Sequence, residues 1–391
     1  MYRNTRFRDL MKGLPRGSFE KIVQQQGNDK YSKSFTSWDQ LIAMVYAQVS
    51  GCESLRELKA GFNAHKEHHY HLGTREIKRS TLADANRNRS CKLFEHVCGR
   101  LIGQTHRQVR SELTDLLYLI DSSPISLKGL GYDEWTKDSH NHRTQGLKVH
   151  MIYAPELELP VHMKMTAPNI TDVEVGRETV LEESATYVFD KGYYDYNWWH
   201  EIEQNNAKFV TRFKSNASVN VVKDIVVPMD DEGKILKDEV VKFKNKRPGG
   251  SRVNRYYDKS LRRITVHRPD KKYPLILASN DFERSAEEIA GLYKKRWSIE
   301  LFFKWLKQNL KIKKFLGRSE NAVKIQIYTA LISYLLAYSM KKRECGCGAM
   351  KHWFIELRST LFKRTEIESD RAKKRRRWEK EFHHLQGNLS I

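Results

Sequence analysis

"YKKRWSIELFFKWLKQNLK", residues 293–311, is the stretch on which the fold turns. Its aromatic and aliphatic residues recur at helical spacing, so it reads as one long helix with a core-like body. One carboxylate, Glu300, sits among Lys294, Lys295, Arg296, Lys304 and Lys307. At about 100° per residue, Arg296, Glu300 and Lys307 all fall within about 60° of Tyr293, and Lys304 lies close to them. A phenol, a guanidinium, a carboxylate and ammonium groups therefore share one narrow face. The alternative is a solvated face of i,i+4 pairs, each worth only about 0.2–0.5 kcal/mol. Such pairing accounts for the charges but not for the tyrosine or the aromatics beside it.

Two apolar runs upstream end in aspartate. "LLYLID" (116–121) and "ATYVFD" (185–190) read as short buried strands ending at Asp121 and Asp190. Between them, "GLKVHMIY" (146–153) and "LPVHMKMT" (159–166) read as a hairpin and "TDVEVGRETVLEE" as a helix. After them, "YYDYNWWHEIEQNN" reads as a helix, and "AKFVTRFK" (207–214) and "YPLILASN" (273–280) as strands. This order is mixed α/β. If the Asp-bearing strands are parallel neighbours, both carboxylates emerge at one sheet edge, where active sites of open α/β sheets gather. Three carboxylates without His or Cys make a hard oxygen site suited to Mg2+ or Mn2+. Two such ions activate a water or 3′-hydroxyl and stabilise the leaving oxygen of a phosphodiester. An Asp after an apolar strand is also a common turn residue or helix cap, and Asp115 and Asp195 compete for the same roles.

Tyr293, Arg296, Glu300 and Lys307 stand as Y-x2-R-x3-E-x6-K. This resembles the Tyr-Arg-Glu-Lys signature of bacterial insertion-sequence DDE transposases of the IS-four type. "LILASN", "FLGRSENAV" and the two Asp-ending strands extend the likeness over about 115–340. The resemblance implies an α/β fold with an RNase H-like catalytic core, a mixed sheet flanked by helices. It also implies a β-rich insertion before the Glu-bearing helix, and residues 215–272, with alternating apolar and polar segments, sit where that insertion belongs. Asp121, Asp190 and Glu300 become the metal-binding triad for Mg2+ or Mn2+, with two ions expected. Tyr293, Arg296 and Lys307 become contacts to DNA phosphates beside the cleaved end. Family members cut transposon ends, often through a hairpin made by the freed 3′-OH, and join them to target DNA. The implied partners are double-stranded DNA, as the element's terminal inverted repeats and as target, and a second copy of the chain in a synaptic dimer.

Other cations are weaker candidates for phosphate. They are Lys304 on the same helix, Lys148 and His150 on the hairpin, Arg212 in "TRFK", and Arg87 and Arg89 in the N-terminal region. Trp198, Trp199 and Trp297 either anchor the core or stack a base, the core being favoured. "RAKKRRRW" (371–378) is suited to gripping backbone phosphate without sequence preference. "HKEHHYH" (65–71) lacks a recognised metal-ligand spacing and reads as a polar loop.

Residues 1–110 read as a helical N-terminal domain suited to binding DNA ends, 111–340 as the catalytic domain interrupted by 215–272, and 341–391 as a basic helical tail for DNA contact or dimerisation. "TSWDQLIAMVYAQVSG" is a helix stopped by Gly51, "SLRELKAGF" a second, and "STLADANRNRSCKLFEHVCGRLIGQT" a third capped at Ser80 or Thr81. Seventy Lys and Arg against 48 Asp and Glu give a net charge of +22, which suits a polyanionic partner. Cys52, Cys91, Cys98, Cys345 and Cys347 form no C-x-x-C pair, which argues against a disulfide framework. No secretory signal is visible, and "IQIYTALISYLLAYSM" (325–340) is shorter than the ~20 residues of a membrane span. A cytoplasmic, nucleoid-associated bacterial protein is expected. A covalent tyrosine recombinase has only "HNHR" (140–143) in its favour. A transposase-derived repressor that binds DNA without cutting is the remaining alternative.

Overall fold

The computed structural model describes residues 5–112, 115–214, 217–227, 234–247, 253–310, 314–344, 346 and 348–363. In chain order the helices are α1 (Arg6–Met11), α2 (Arg16–Gln26), α3 (Ser37–Ser50), α4 (Leu55–Asn63), α5 (His69–Leu72), α6 (Arg79–Asn88), α7 (Lys92–Val109), α8 (Asp172–Arg177), α9 (Tyr196–Gln204), α10 (Ala286–Lys295), α11 (Trp297–Asn309), α12 (Glu320–Arg343) and α13 (Met350–Thr360). The strands are β1 (Leu117–Ser126), β2 (Lys137–Asp138), β3 (Gln145–Ala154), β4 (Leu159–Thr166), β5 (Thr186–Phe189), β6 (Lys208–Arg212), β7 (Val219–Asp224), β8 (Ile235–Phe243), β9 (Leu261–Val266) and β10 (Leu275–Ser279). The chain divides into two compact units, residues 102–305 and residues 1–101 with 306–391.

The second unit is helical. In α3, Thr36 and Asp39 form a reciprocal capping box, and Gly51 ends the helix at φ 74. Helix α12 is apolar on every side and is buried against α1, α3, α6 and α13. The apolar run at 325–340 is therefore a core helix of this unit. Among the described residues no helix is long and apolar enough to cross a membrane.

Two local expectations fail here. Helix α6 starts at Arg79, with Lys78 at the N-cap position and no side-chain cap, so neither Ser80 nor Thr81 caps it. It stops at Asn88, because Arg89 turns inward to donate to Phe35 O, Ser32 Oγ (3.0 Å) and Gln40 Oε1 (3.2 Å). The expected single helix is thus two. The histidine run is packed rather than a polar loop: His69 is buried against Phe62 at 4.3 Å, and His65 stacks on Phe362 at 3.9 Å. Cys345, Cys347 and "RAKKRRRW" (371–378) lie outside the described residues.

The unit 102–305 is built on one ten-stranded mixed sheet, in the order β2-β3-β1-β5-β6-β10-β9-β8-β7, with β4 also paired to β3. Strands β1, β5 and β6 are parallel, and β3 and β4 fold back from β1 as an antiparallel hairpin. This is the arrangement anticipated for an RNase H-like core. The 215–272 stretch does not stand apart, since β7, β8 and β9 continue the same sheet through β10. A buried Arg262–Asp238 pair, with Arg262 also donating to the Asp281 and Arg284 carbonyls, ties these strands to the start of α10. Strand β1 also runs beyond the expected end at Asp121, to Ser126, because β3 pairs with it along that length.

The opening stretch is two helices, not one. The Arg296 N–H bonds to Tyr293 O at 3.1 Å and the Ile299 N–H to Arg296 O at 3.2 Å, so three-residue turns interrupt the α-helix there. Ile299, Phe302 and Phe303 of α11 are buried, and Phe302 stacks on Tyr153 of β3 at 4.7 Å. Trp198 and Trp199 are fully buried core anchors as favoured, whereas Trp297 is 57% exposed.

Candidate active site

Parallel pairing of β1 with β5 sets the geometry. Ile120 stands opposite Phe189, the last pair of that ladder, so Asp121 and Asp190 both follow it at the same sheet edge. Strand β5 ends at Phe189, which frees Asp190 for the turn before α9. Helices α10 and α11 bring the third carboxylate and its cations to the same edge.

The guanidinium of Arg296 lies between two of the acids. It is 2.6 Å from Glu300 and 3.7 Å from Asp121, and only 14% of its side chain is exposed. It also lies over the Tyr293 ring, 5.6 Å from the centroid. The Tyr293 hydroxyl donates to Asp190 Oδ1 at 3.1 Å, and Arg212 approaches the same oxygen at 3.7 Å. Asp121, Asp190, Glu300, Tyr293, Arg296 and Arg212 are thereby one connected group.

Burial pushes the Asp121 carboxyl up to about 6. The Ser122 N–H (2.8 Å) and Arg296 pull it back, while the charges of Glu300 and Asp172 push it further up. Burial also raises the Tyr293 phenol, and the Asp190 charge adds to this, so the hydroxyl stays a donor. Burial pushes the His150 imidazole down to about 4, against the pull of Asp172.

The remaining candidates divide. Lys304 is exposed on α11, Lys307 is half-buried two turns after Glu300, and Arg87 is exposed at the end of α6. Lys148 is engaged internally, donating to Ile170 O at 2.7 Å and to Asp172 at 3.2 Å. Arg89 is a correction: its bonds to Phe35, Ser32 and Gln40 hold the α6–α7 turn and leave it no free face for phosphate. The competing aspartates are accounted for elsewhere. Asp195 caps α9 by accepting from the Trp198 N–H (2.8 Å) and pairs with Arg177, and Asp115 pairs with Arg284 at 3.3 Å.

Oxygen-only donors with a desolvated carboxyl among them are the chemistry that suits a divalent cation. Among the described residues no group of three or more His, Cys, Asp and Glu is close enough to hold one. The positive charge there is the Arg296 guanidinium. Two neighbours escaped the sequence reading. Ser122 and Asp172 touch this group, yet Ser122 is an ordinary strand residue, and Asp172, in the first turn of α8 after the Thr171 N-cap, looks like any helix-start acid.

With this geometry established, comparison with known proteins decides the family. The profile of the transposase DDE domain matches residues 112–336, more than half of the chain. The chain belongs to the DDE transposase family. It is therefore an enzyme of the DDE class, whose members generally use divalent metals. A second profile, a domain of unknown function (DUF4372), matches residues 2–75.

This DDE transposase is 43% identical over 257 residues to y4zB of Sinorhizobium fredii, named a transposase, covering 65% of this chain and 69% of that protein. It is 26% identical over 246 residues to a Geobacillus stearothermophilus protein named for transposition of insertion sequence element IS5377, covering 62% of each chain. A Synechocystis protein named for insertion sequence element IS4SA is 33% identical over 170 residues, 42% of this chain and 44% of that one. These relatives set it among bacterial insertion-sequence transposases. A solved piggyBac transposase synaptic complex with hairpin DNA aligns with TM-score 0.46 and 10% identity, over 90% of this chain and 79% of that one.

Proposed function

We propose that this transposase cuts double-stranded DNA at the terminal inverted repeats of its own element and joins the freed ends to target DNA. The observation that carries the reading is the parallel β1–β5 register, which brings Asp121 and Asp190 to the same sheet edge, with Arg296 linking Asp121 to Glu300. Asp121, Asp190 and Glu300 are the residues that hold Mg2+ or Mn2+, as two ions. A bound divalent ion supplies Lewis-acid stabilisation of phosphoryl oxygens and lowers the pKa of water or of a 3′-hydroxyl.

The chain's own cations do the positioning. Arg296 presents a planar fork that matches phosphate oxygens, and Lys304 and Lys307 add point charges further along α11. The Tyr293 hydroxyl orients Asp190 and, kept protonated by burial, adds no negative charge beside the phosphate. The net charge of +22 draws the DNA in. The helical N-terminal region binds the ends, and a synaptic dimer holds both of them, with a hairpin made by the first freed 3′-OH. The protein works in the bacterial cytoplasm, at the nucleoid.

The test uses oligonucleotides carrying the inverted repeats that flank the coding sequence. Wild type should nick them only with Mg2+ or Mn2+, while Glu300→Gln should bind them equally well and fail to cut. Binding without cutting by wild type would favour a repressor. A covalent phosphotyrosyl adduct would point to a tyrosine recombinase.

A further inference from the structure

Asp172, outside the expected triad, touches the chain beside both aspartates of the sheet edge. Its Oδ1 accepts from the Ser122 hydroxyl at 2.7 Å and from Lys148 Nζ at 3.2 Å. The Ser122 N–H in turn donates to Asp121 Oδ1 at 2.8 Å. Strand alternation turns the Ser122 side chain to the sheet face opposite Asp121. Its cross-strand partner His150, and Lys148 two residues away, share that opposite face, and His150 Nδ1 lies 3.6 Å from Asp172. On its other side, Asp172 Oδ2 lies against Gly192, two residues after Asp190, so closely that a Cβ there would come within 2.8 Å of it. Asp172 is not there to fill the core. It lines a cavity of about 520 Å³ with Ser122, Lys148 and Gly192, and its side chain is 23% exposed.

We propose that Asp172 is a positioning residue for the carboxylate pair. It fixes the Ser122 hydroxyl, and through that residue the backbone N–H that orients Asp121. It also limits how closely the Asp190 turn approaches from the other strand. Lys148 pairs with it and so offsets part of the charge that a fourth acid adds beside Asp121, Asp190 and Glu300. Groups that orient metal-binding carboxylates set metal affinity, and their loss costs about 10- to 100-fold in it. The proposal rests on the carboxylate reading above.

The experiment is Mn2+ titration of the full-length protein by electron paramagnetic resonance, on wild type, Asp121→Asn, Asp172→Ala, Ser122→Ala and Gly192→Ala. Asp172→Ala should raise the Mn2+ Kd by about 10-fold or more. Ser122→Ala and Gly192→Ala should move it in the same direction. Excess Mn2+ should restore DNA cutting by Asp172→Ala, which it would not do for a folding defect. If Asp121→Asn loses Mn2+ while Asp172→Ala and Ser122→Ala keep wild-type affinity, the positioning role falls and the carboxylate site stands. If Asp121→Asn binds Mn2+ as wild type does, both fall. Should Asp172→Ala fail to fold by circular dichroism, Ser122→Ala decides, since it removes only one hydroxyl.

Discussion

Replacing Asp121 by Asn should make the metal-free protein more stable at neutral pH. The carboxyl is 19% exposed, and burial lifts it from an ordinary 3.8 to about 6. A folded-state value above the unfolded one contributes stability that is complete below about 3.8 and is lost as pH rises through about 6. Above that window the folded protein holds a desolvated carboxylate that the unfolded chain would hydrate. The gap is about 2 pH units, and at about 1.4 kcal/mol each it sets a ceiling of about 3 kcal/mol. The pull of Arg296 on the carboxylate is already contained in that gap. The expected result is a variant more stable than wild type by about 1–3 kcal/mol at pH 8, the difference vanishing towards pH 4. Urea unfolding of both proteins from pH 4 to 8, without divalent ions, measures it. Equal or lower stability of the variant at pH 8, or a difference that does not change with pH, would refute the reasoning.

Divalent ions should offset that difference, because a ligand that binds only the folded state at 100 times its Kd stabilises by about 2.7 kcal/mol. Mn2+ should therefore raise the thermal midpoint of wild type and not that of Asp121→Asn, as scanning calorimetry would record. Arg296→Ala should weaken binding to end DNA and lower the slope of log K against log salt by about 1, read from filter binding across salt concentrations. Arg89→Ala should instead destabilise the helical unit by about 2–3 kcal/mol, since it strips a charged donor from the α6–α7 turn, and should leave that salt slope unchanged. An altered slope in Arg89→Ala would return that residue to the DNA face.

The strands were legible because each is an apolar run of the right length ended by turn chemistry, and β1, β5, β6 and the β3–β4 hairpin all fall where the runs do. The union of 215–272 with the main sheet was not legible. Alternation marks a strand but does not say which edge it joins, and only the pairing of β9 with β10 makes the connection. The break at Arg296 was hidden for a similar reason. Nothing in "KKRWS" opposes a helix, and the tight turns there accompany the guanidinium's contacts with Asp121 and Glu300. Arg89 misled because a basic residue near a helix end looks the same whether it faces phosphate or its own backbone carbonyls. Asp172 was invisible because its importance comes from Ser122 and Gly192, far from it in sequence and next to it in space.

The central claim is that Asp121, Asp190 and Glu300 hold one metal centre. Replacing Mg2+ with Fe2+ in the presence of ascorbate and peroxide tests it directly, because hydroxyl radicals made at a bound iron cut the nearest backbone. Chain fragments ending near residues 121, 190 and 300 are expected, suppressed together by excess Mg2+ and absent from Glu300→Gln. Cuts clustered elsewhere, or a pattern that Glu300→Gln leaves intact, would contradict it.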